Sequence, residues 1–181
     1  GVTNGIGSTE VAPTNIRLNA VQAPATTQNI SWFAAPDYTA RNAVVQYTTE
    51  EAYISGNYSF TTVQGTSTVR SFTDGYQASL VNSVTLTGLT PATTYSYRVG
   101  DGVEGHWSDV RTFTTAESGG ETSFFVMGDT QLSGNVEADA ADIEVIHQIA
   151  EAIGNANTDF GIQTGDFIDN AGSLTAWNEI L

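Results

Sequence analysis

Residues 86–99 read Leu86-Thr87-Gly88-Leu89-Thr90-Pro91-Ala92-Thr93-Thr94-Tyr95-Ser96-Tyr97-Arg98-Val99. The stretch ends one strand, turns at Gly88 and Pro91, and opens another in which Tyr95, Tyr97 and Val99 alternate with polar residues. Alternation of this kind marks a strand with one buried face. A tyrosine just past such a crossover can return its hydroxyl to the backbone and lock the corner. Working outward, further short runs rich in Val, Ile, Thr and aromatics follow the same rule. They predict strands over Asn15–Val21, Asn29–Phe33, Ala43–Thr48, Tyr58–Val63, Ser83–Leu86, Thr94–Gly100 and Ser108–Thr114.

Seven short strands in about 100 residues is the arithmetic of an immunoglobulin-like β-sandwich. Trp32 lies in the second strand, where one large ring can fill the space between two sheets. Tyr47, Tyr95, Tyr97 and Trp107 are read with it as core or corner residues rather than as a sugar- or peptide-binding stripe. Asn29-Ile30-Ser31 and Asn57-Tyr58-Ser59 match the glycosylation pattern, but so short a pattern is read as coincidence. His106 follows a glycine-rich turn and is expected to be an exposed loop residue. The stretch quoted above resembles the fibronectin type III family, and that resemblance covers residues 11–116.

The texture changes at Glu117-Ser118-Gly119-Gly120, so residues 117–122 are read as a linker and residues 1–10 as a flexible leader. Ser123-Phe124-Phe125-Val126-Met127 is continuously apolar, as buried parallel strands are. Asn135 to Ile153 predicts a helix: Val136, Ala140, Ile143, Ile146, Ala150 and Ile153 recur three or four apart. Asn135 is its expected cap and Gly154 its expected stop. His147 should flank the apolar stripe in solvent. Phe160–Thr164 is the next strand, and Ser173 can cap a further helix from Leu174. Residues 123–181 therefore read as a βαβ segment of an α/β domain with parallel strands.

Composition narrows the function. The 181 residues carry twenty acids against five arginines and no lysine, a net charge of −15. No basic face can be built for nucleic acid. Residues 117–181 hold twelve of the acids and no base. Solubility is the plain reading of such a segment, and carboxylates awaiting cations are the sharper one. Without cysteine, disulfides, zinc–thiolate sites and thiol nucleophiles are excluded. No stretch approaches the ~20 apolar residues of a membrane span. Residues 1–7 have no signal-peptide character; a secreted or cell-surface protein whose leader has been removed is expected.

The chemistry lies in a repeat. The crossover of a βαβ unit is right-handed, so both strands end at one edge of the sheet. Each ends in Gly-Asp: Gly128-Asp129-Thr130-Gln131 and Gly165-Asp166-Phe167-Ile168-Asp169-Asn170. Open α/β sheets bind ligands there. Two unpaired carboxylates side by side repel, and a divalent cation with its preference for oxygen ligands removes the repulsion.

These two stretches resemble the first two motifs of the calcineurin-like metallophosphoesterases. A fibronectin-like domain joined to such an enzyme is the layout of the purple acid phosphatases and their bacterial relatives. The resemblance implies a hydrolase of phosphate esters with two divalent metals, iron, zinc or manganese, in the complete site. By motif, Asp129 and Gln131 would bind the first metal. Asp166 would bridge both and be the catalytic ligand, and Asp169 and Asn170 would shape the loop behind them. Gln131 replaces the usual histidine. Asp169 stands where the purple enzymes have a metal-binding tyrosine. The family's downstream Gly-Asn-His motif has no counterpart, since no histidine follows Asp166. The chain is thus expected to be a fragment, inactive alone, with the rest of the catalytic domain as its partner. The competing reading is an adhesion module with a non-catalytic α/β tail, favoured if the continuing sequence lacks Gly-Asn-His.

Overall fold

The computed structural model describes residues 12–35, 42–71, 79–121, 123–130, 132–133, 135–155, 158–170, 172–173 and 176. The chain divides into two compact units, which change over in sequence at Thr115–Ala116.

The first unit is a sandwich of two four-stranded antiparallel sheets. Its strands are β1 (Thr14–Asn19), β2 (Thr27–Ala34), β3 (Val44–Thr49), β4 (Thr61–Gln64), β5 (Thr66–Arg70), β6 (Ser79–Thr87), β7 (Thr94–Gly100) and β8 (Arg111–Thr114). One sheet has the order β1-β2-β6-β5 and the other β4-β3-β7-β8. Register explains the core. Ile30 pairs with Val84 and Trp32 with Asn82, so the inward residues of β2 face the same way as Leu80, Val84 and Leu86 of β6. From the other sheet come Val45, Tyr95, Tyr97, Val99 and Phe113. Trp32 is 1% exposed, in the central place its size suggested. The Tyr95 ring stacks on Phe113 at 5.4 Å and meets Tyr47 edge-on at 5.8 Å.

The expected corner is present. The Tyr95 hydroxyl accepts a hydrogen bond from the Thr90 N–H at 2.9 Å. The Thr115 hydroxyl closes the far side, donating to the Thr90 carbonyl at 2.7 Å and accepting from the Thr93 N–H at 3.0 Å.

Several expectations shift. Residues 50–55 form a short helix, α1 (Glu50–Ser55), capped by the Thr49 hydroxyl and ended by Gly56 at φ 73°. Its Tyr53 gathers Tyr58 and Phe60 at 4.9 and 6.3 Å, so these rings pack together and the strand expected from Tyr58 begins only at Thr61. β5 was not foreseen. The chain leaves β4 and joins the opposite sheet at Gly65, whose backbone lies against the Ser83 carbonyl with no room for a Cβ. β1 ends at Asn19 rather than Val21, β6 is longer than expected and β8 shorter. Trp107 is half-buried rather than core: the Arg98 guanidinium lies 4.6 Å from its ring and 5.1 Å from Phe60. Arg98 is held there by two bonds to Gln46 Oε1. His106 is not a free loop residue either, since it shares a 2.8 Å hydrogen bond with the buried Asp101. Asn29 is tied to Asn19, Ser83 and Thr85, which suits a structural amide better than a glycan acceptor.

The second unit holds the parallel strands β9 (Phe124–Met127) and β10 (Phe160–Gln163), joined through α2 (Val136–Asn155). Ala138 N–H donates to the Asn135 side chain, the expected cap. The helix runs through Gly154 instead of stopping there. Ile143 and Ile146 pack on Leu132, Ile168 and Ala176, and His147 is exposed. The Ala176 N–H donates to Ser173 Oγ at 3.2 Å, the bond expected of a capping serine; Leu174 lies outside the described residues.

Candidate functional site

β9 and β10 lie in register, with Phe124 opposite Phe160 and Met127 opposite Gln163. Their carboxyl ends therefore emerge level, and the loops beyond are laced together. Thr164 N–H donates to the Met127 carbonyl at 2.9 Å and Asp129 N–H to the Gly165 carbonyl at 3.1 Å. Thr130 Oγ1 donates to the Phe167 carbonyl at 2.7 Å. Farther out, Leu132 bridges Ile168 in parallel, and the Asp169 N–H donates to the Leu132 carbonyl at 2.9 Å. The two Gly-Asp turns thus form one hydrogen-bonded rim.

Both aspartates have left-handed backbones, Asp129 at φ 62° and Asp166 at φ 49°. Aspartate tolerates that region better than most side chains, but it remains uncommon outside glycine. Sparsely populated backbone conformations gather at functional sites, where surrounding structure holds them. Here the holding is visible: Gly165 at φ 132° precedes Asp166, and Gly128 lies so close to Thr164 Oγ1 that a Cβ would not fit. Both aspartates are exposed. Among the described residues neither carboxylate has a hydrogen-bond partner, and the sequence from 117 to 181 supplies no lysine or arginine. The donor set is hard oxygen with nothing competing for it, which fits a divalent cation.

The rest of the expected set is only partly present. Asp169 and Asn170 lie on the second turn; both are exposed, and Asn170 Oδ1 accepts from the Gly172 N–H at 2.9 Å. It therefore shapes the loop locally. Gln131 lies outside the described residues. Among the described residues, no three His, Cys, Asp or Glu side chains cluster as a metal site.

Two residues escaped the sequence reading. Asp139 in the first turn of α2 is buried, accepting from the Ser133 N–H at 2.9 Å and the Asn135 N–H at 3.2 Å. It ties the segment following the first Gly-Asp turn to the helix. Gln163 ends β10 with both amide atoms buried and without a hydrogen-bond partner among the described residues. The only sequence signal for Gln163 was a polar residue closing an otherwise apolar strand.

Comparison with known proteins places the fold. No curated protein sequence matches the chain. Among solved structures, purple acid phosphatase PPD1 from yellow lupin (Lupinus luteus) seeds aligns over 93% of the chain, with 16% identity and a TM-score of 0.66. The chain spans 33% of that protein's length. The fn3 domain of human contactin 1 aligns over 61% of this chain and 82% of its own, with 19% identity and a TM-score of 0.43. The FN5 domain of Drosophila Lar aligns over 59% and 97%, with 15% identity and a TM-score of 0.37. At 16% identity the likeness to the lupin protein is one of fold. Residues 13–115 match the family model described as the purple acid phosphatase N-terminal domain. With more than half its length matched, the chain belongs to the purple acid phosphatase N-terminal domain family.

Proposed function

We propose that this chain is part of a metal-dependent phosphoesterase that hydrolyses phosphate esters, its sandwich joined to the start of a calcineurin-like catalytic domain. One observation carries the reading: two aspartates whose carboxylates have no partner among the described residues, both in left-handed backbone, on one hydrogen-bonded rim at the carboxyl ends of adjacent parallel strands. The family match of the sandwich supports it. In this reading Asp129 and Gln131 would hold one divalent cation, and Asp166 would be the carboxylate shared with a second. Iron, zinc and manganese all suit such a set. When bound, such cations would supply positive charge against the phosphoryl oxygens of the substrate. The chain's own part is to fix the carboxylates: the paired turns hold Asp129 and Asp166 on one rim, and Asp169 and Asn170 brace the second turn.

The same reading assigns the exposed apolar face of the parallel pair, with Phe124, Val126 and Ile162, to cover by the rest of the catalytic domain. That remainder would also supply histidines for the second metal and for the leaving group. The parent protein would be secreted or at the cell surface; among the described residues no helix is long and apolar enough to cross a membrane.

The test is metal content by mass spectrometry beside the hydrolysis rate of a phosphomonoester, in a chain extended through the downstream motifs. Asp166→Asn should abolish both. Gln131→Ala should weaken one site and slow turnover, and Gln131→His should tighten zinc binding. Full loading and full rate with Asp166→Asn would sink the reading and leave the Gly-Asp pair as ordinary turns.

A further inference from the structure

Two of the bonds that join the Gly-Asp turns run from backbone to backbone. Asp129 N–H donates to the Gly165 carbonyl at 3.1 Å, and Asp169 N–H to the Leu132 carbonyl at 2.9 Å. Between them in sequence lies a bond made by a side chain: Thr130 Oγ1 donates to the Phe167 carbonyl at 2.7 Å. Thr130 is the residue after Asp129, and Phe167 the residue after Asp166. The hydroxyl therefore ties one turn to the other at the positions next to the two aspartates.

That is where the turns most need holding. Asp129 at φ 62° and Asp166 at φ 49° occupy a backbone region that aspartate visits uncommonly, and such conformations persist only where surrounding structure fixes them. Like charges on one rim also repel while no cation lies between them. Both effects favour turns that part, and carboxylates that have parted must be gathered again before they can share a cation. A bond that holds the turns beforehand removes that cost from binding. Threonine suits the task, because branching at Cβ restricts χ1 and keeps the hydroxyl aimed at the carbonyl. The neighbouring backbone bonds do not depend on the side chain at 130, so this tie can be removed singly.

We propose that Thr130 is a positioning residue of the Asp129–Asp166 site, its hydroxyl holding the two Gly-Asp turns together so that both carboxylates are presented to a divalent cation. This rests on the metal-site reading of those turns. Thr130 acts without touching the cation: its effect passes through the Phe167 carbonyl to the turn that carries Asp166. Removing hydrogen bonds that stand behind metal ligands commonly lowers affinity tenfold or more.

The 181-residue chain with Mn²⁺ alone tests this. Paramagnetic broadening of the Gly128 and Gly165 amide signals gives the Mn²⁺ concentration for half effect, and the helix band of α2 in circular dichroism shows that the second unit is folded. Thr130→Val keeps the branched shape and removes the hydroxyl. It should raise the half-effect concentration about tenfold with the helix band retained. Thr130→Ser restores the hydroxyl and should recover most of the affinity. Unchanged Mn²⁺ affinity in Thr130→Val would overturn the proposal. So would equal weakening in Thr130→Val and Thr130→Ser, since the methyl rather than the hydroxyl would then matter. Thr130→Ala repeats the test should the added methyl of valine not fit. Loss of the helix band in both would make the hydroxyl a condition of folding and would also overturn the positioning role. Asp166→Asn separates the two readings. If wild type and Asp166→Asn broaden alike, the turns hold no cation and both readings fall. If Asp166→Asn weakens broadening and Thr130→Val does not, the role of Thr130 alone falls.

Discussion

Ile30, Leu86 and Val99 of the sandwich are shut off from water, whereas Phe124, Val126 and Ile162 of the parallel pair are 53%, 56% and 42% exposed. Both regions are built from the same strand-forming residues. In the sandwich, two sheets present their apolar faces to each other, so eight strands bury one core between them. In the second unit Phe124 stacks on Phe160 at 5.3 Å, yet the face they share with Val126 and Ile162 is left open. Parallel sheets are normally covered on both faces. The sandwich is thus held by its own packing, and the parallel pair by backbone lacing and a small cluster around Leu132 and Ile168. The lacing is what aims the aspartates.

The largest effect should come from the centre of the sandwich. Trp32→Ala removes a ring that is 1% exposed and should cost about 3–5 kcal/mol in urea unfolding. A loss below roughly 1 kcal/mol would mean that the two sheets close without it, and the contrast between the regions would fail.

The sandwich was legible because its information is local. Alternation in β2, β6 and β7 and the corner at Leu89–Tyr95 show in the sequence itself. α1 was missed because it buries no residue and carries no apolar stripe, although Thr49 and Gly56 frame it as cap and stop. β5 was missed because Thr66–Arg70 is mostly exposed and polar, and its strand character comes from pairing with β6. Trp107 misled because its sequence shows an aromatic but not the Arg98 that stacks on it. In the site, Asp129 and Asp166 were legible through the repeated Gly-Asp. Asp139 and Gln163 were not, since burial of a polar side chain depends on what the folded chain brings around it.

A smaller effect should follow from Asp139→Ala in the second unit. The carboxylate is 5% exposed and accepts from Ser133 Oγ at 2.9 Å as well as from two backbone N–H groups. Its loss strands those donors, at a cost of about 1–3 kcal/mol. Circular dichroism at the helix band reads it, because α2 with its 20 residues dominates that signal. A cost below roughly 0.5 kcal/mol, the level of an ordinary surface change, would show that the entrance to α2 is not braced by Asp139.

The smallest effect gives the cleanest separation, because the two regions differ in what can titrate at high pH. All seven tyrosines precede residue 116, and the chain has neither lysine nor cysteine. Burial raises the Tyr97 phenol above its ordinary value, with Arg111 pulling the other way. Burial, and then Tyr95, raises Tyr47. The sign follows from proton binding. Above about pH 10, the ordinary tyrosine value, unfolded chains lose the phenol proton while the folded sandwich retains it. Stability from these groups is therefore full below that pH and is lost as pH rises through the folded values. Tyr97→Phe keeps the ring and removes the proton. It should lessen the alkaline slope of the urea midpoint, by at most about 1.4 kcal/mol per pH unit. Residues 116–181 hold no tyrosine, lysine or cysteine, so the helix band of α2 should not respond directly. An alkaline slope unchanged in Tyr97→Phe would show that Tyr97 ionises no less readily folded than unfolded, and the sandwich core would then be more open to water than its packing indicates.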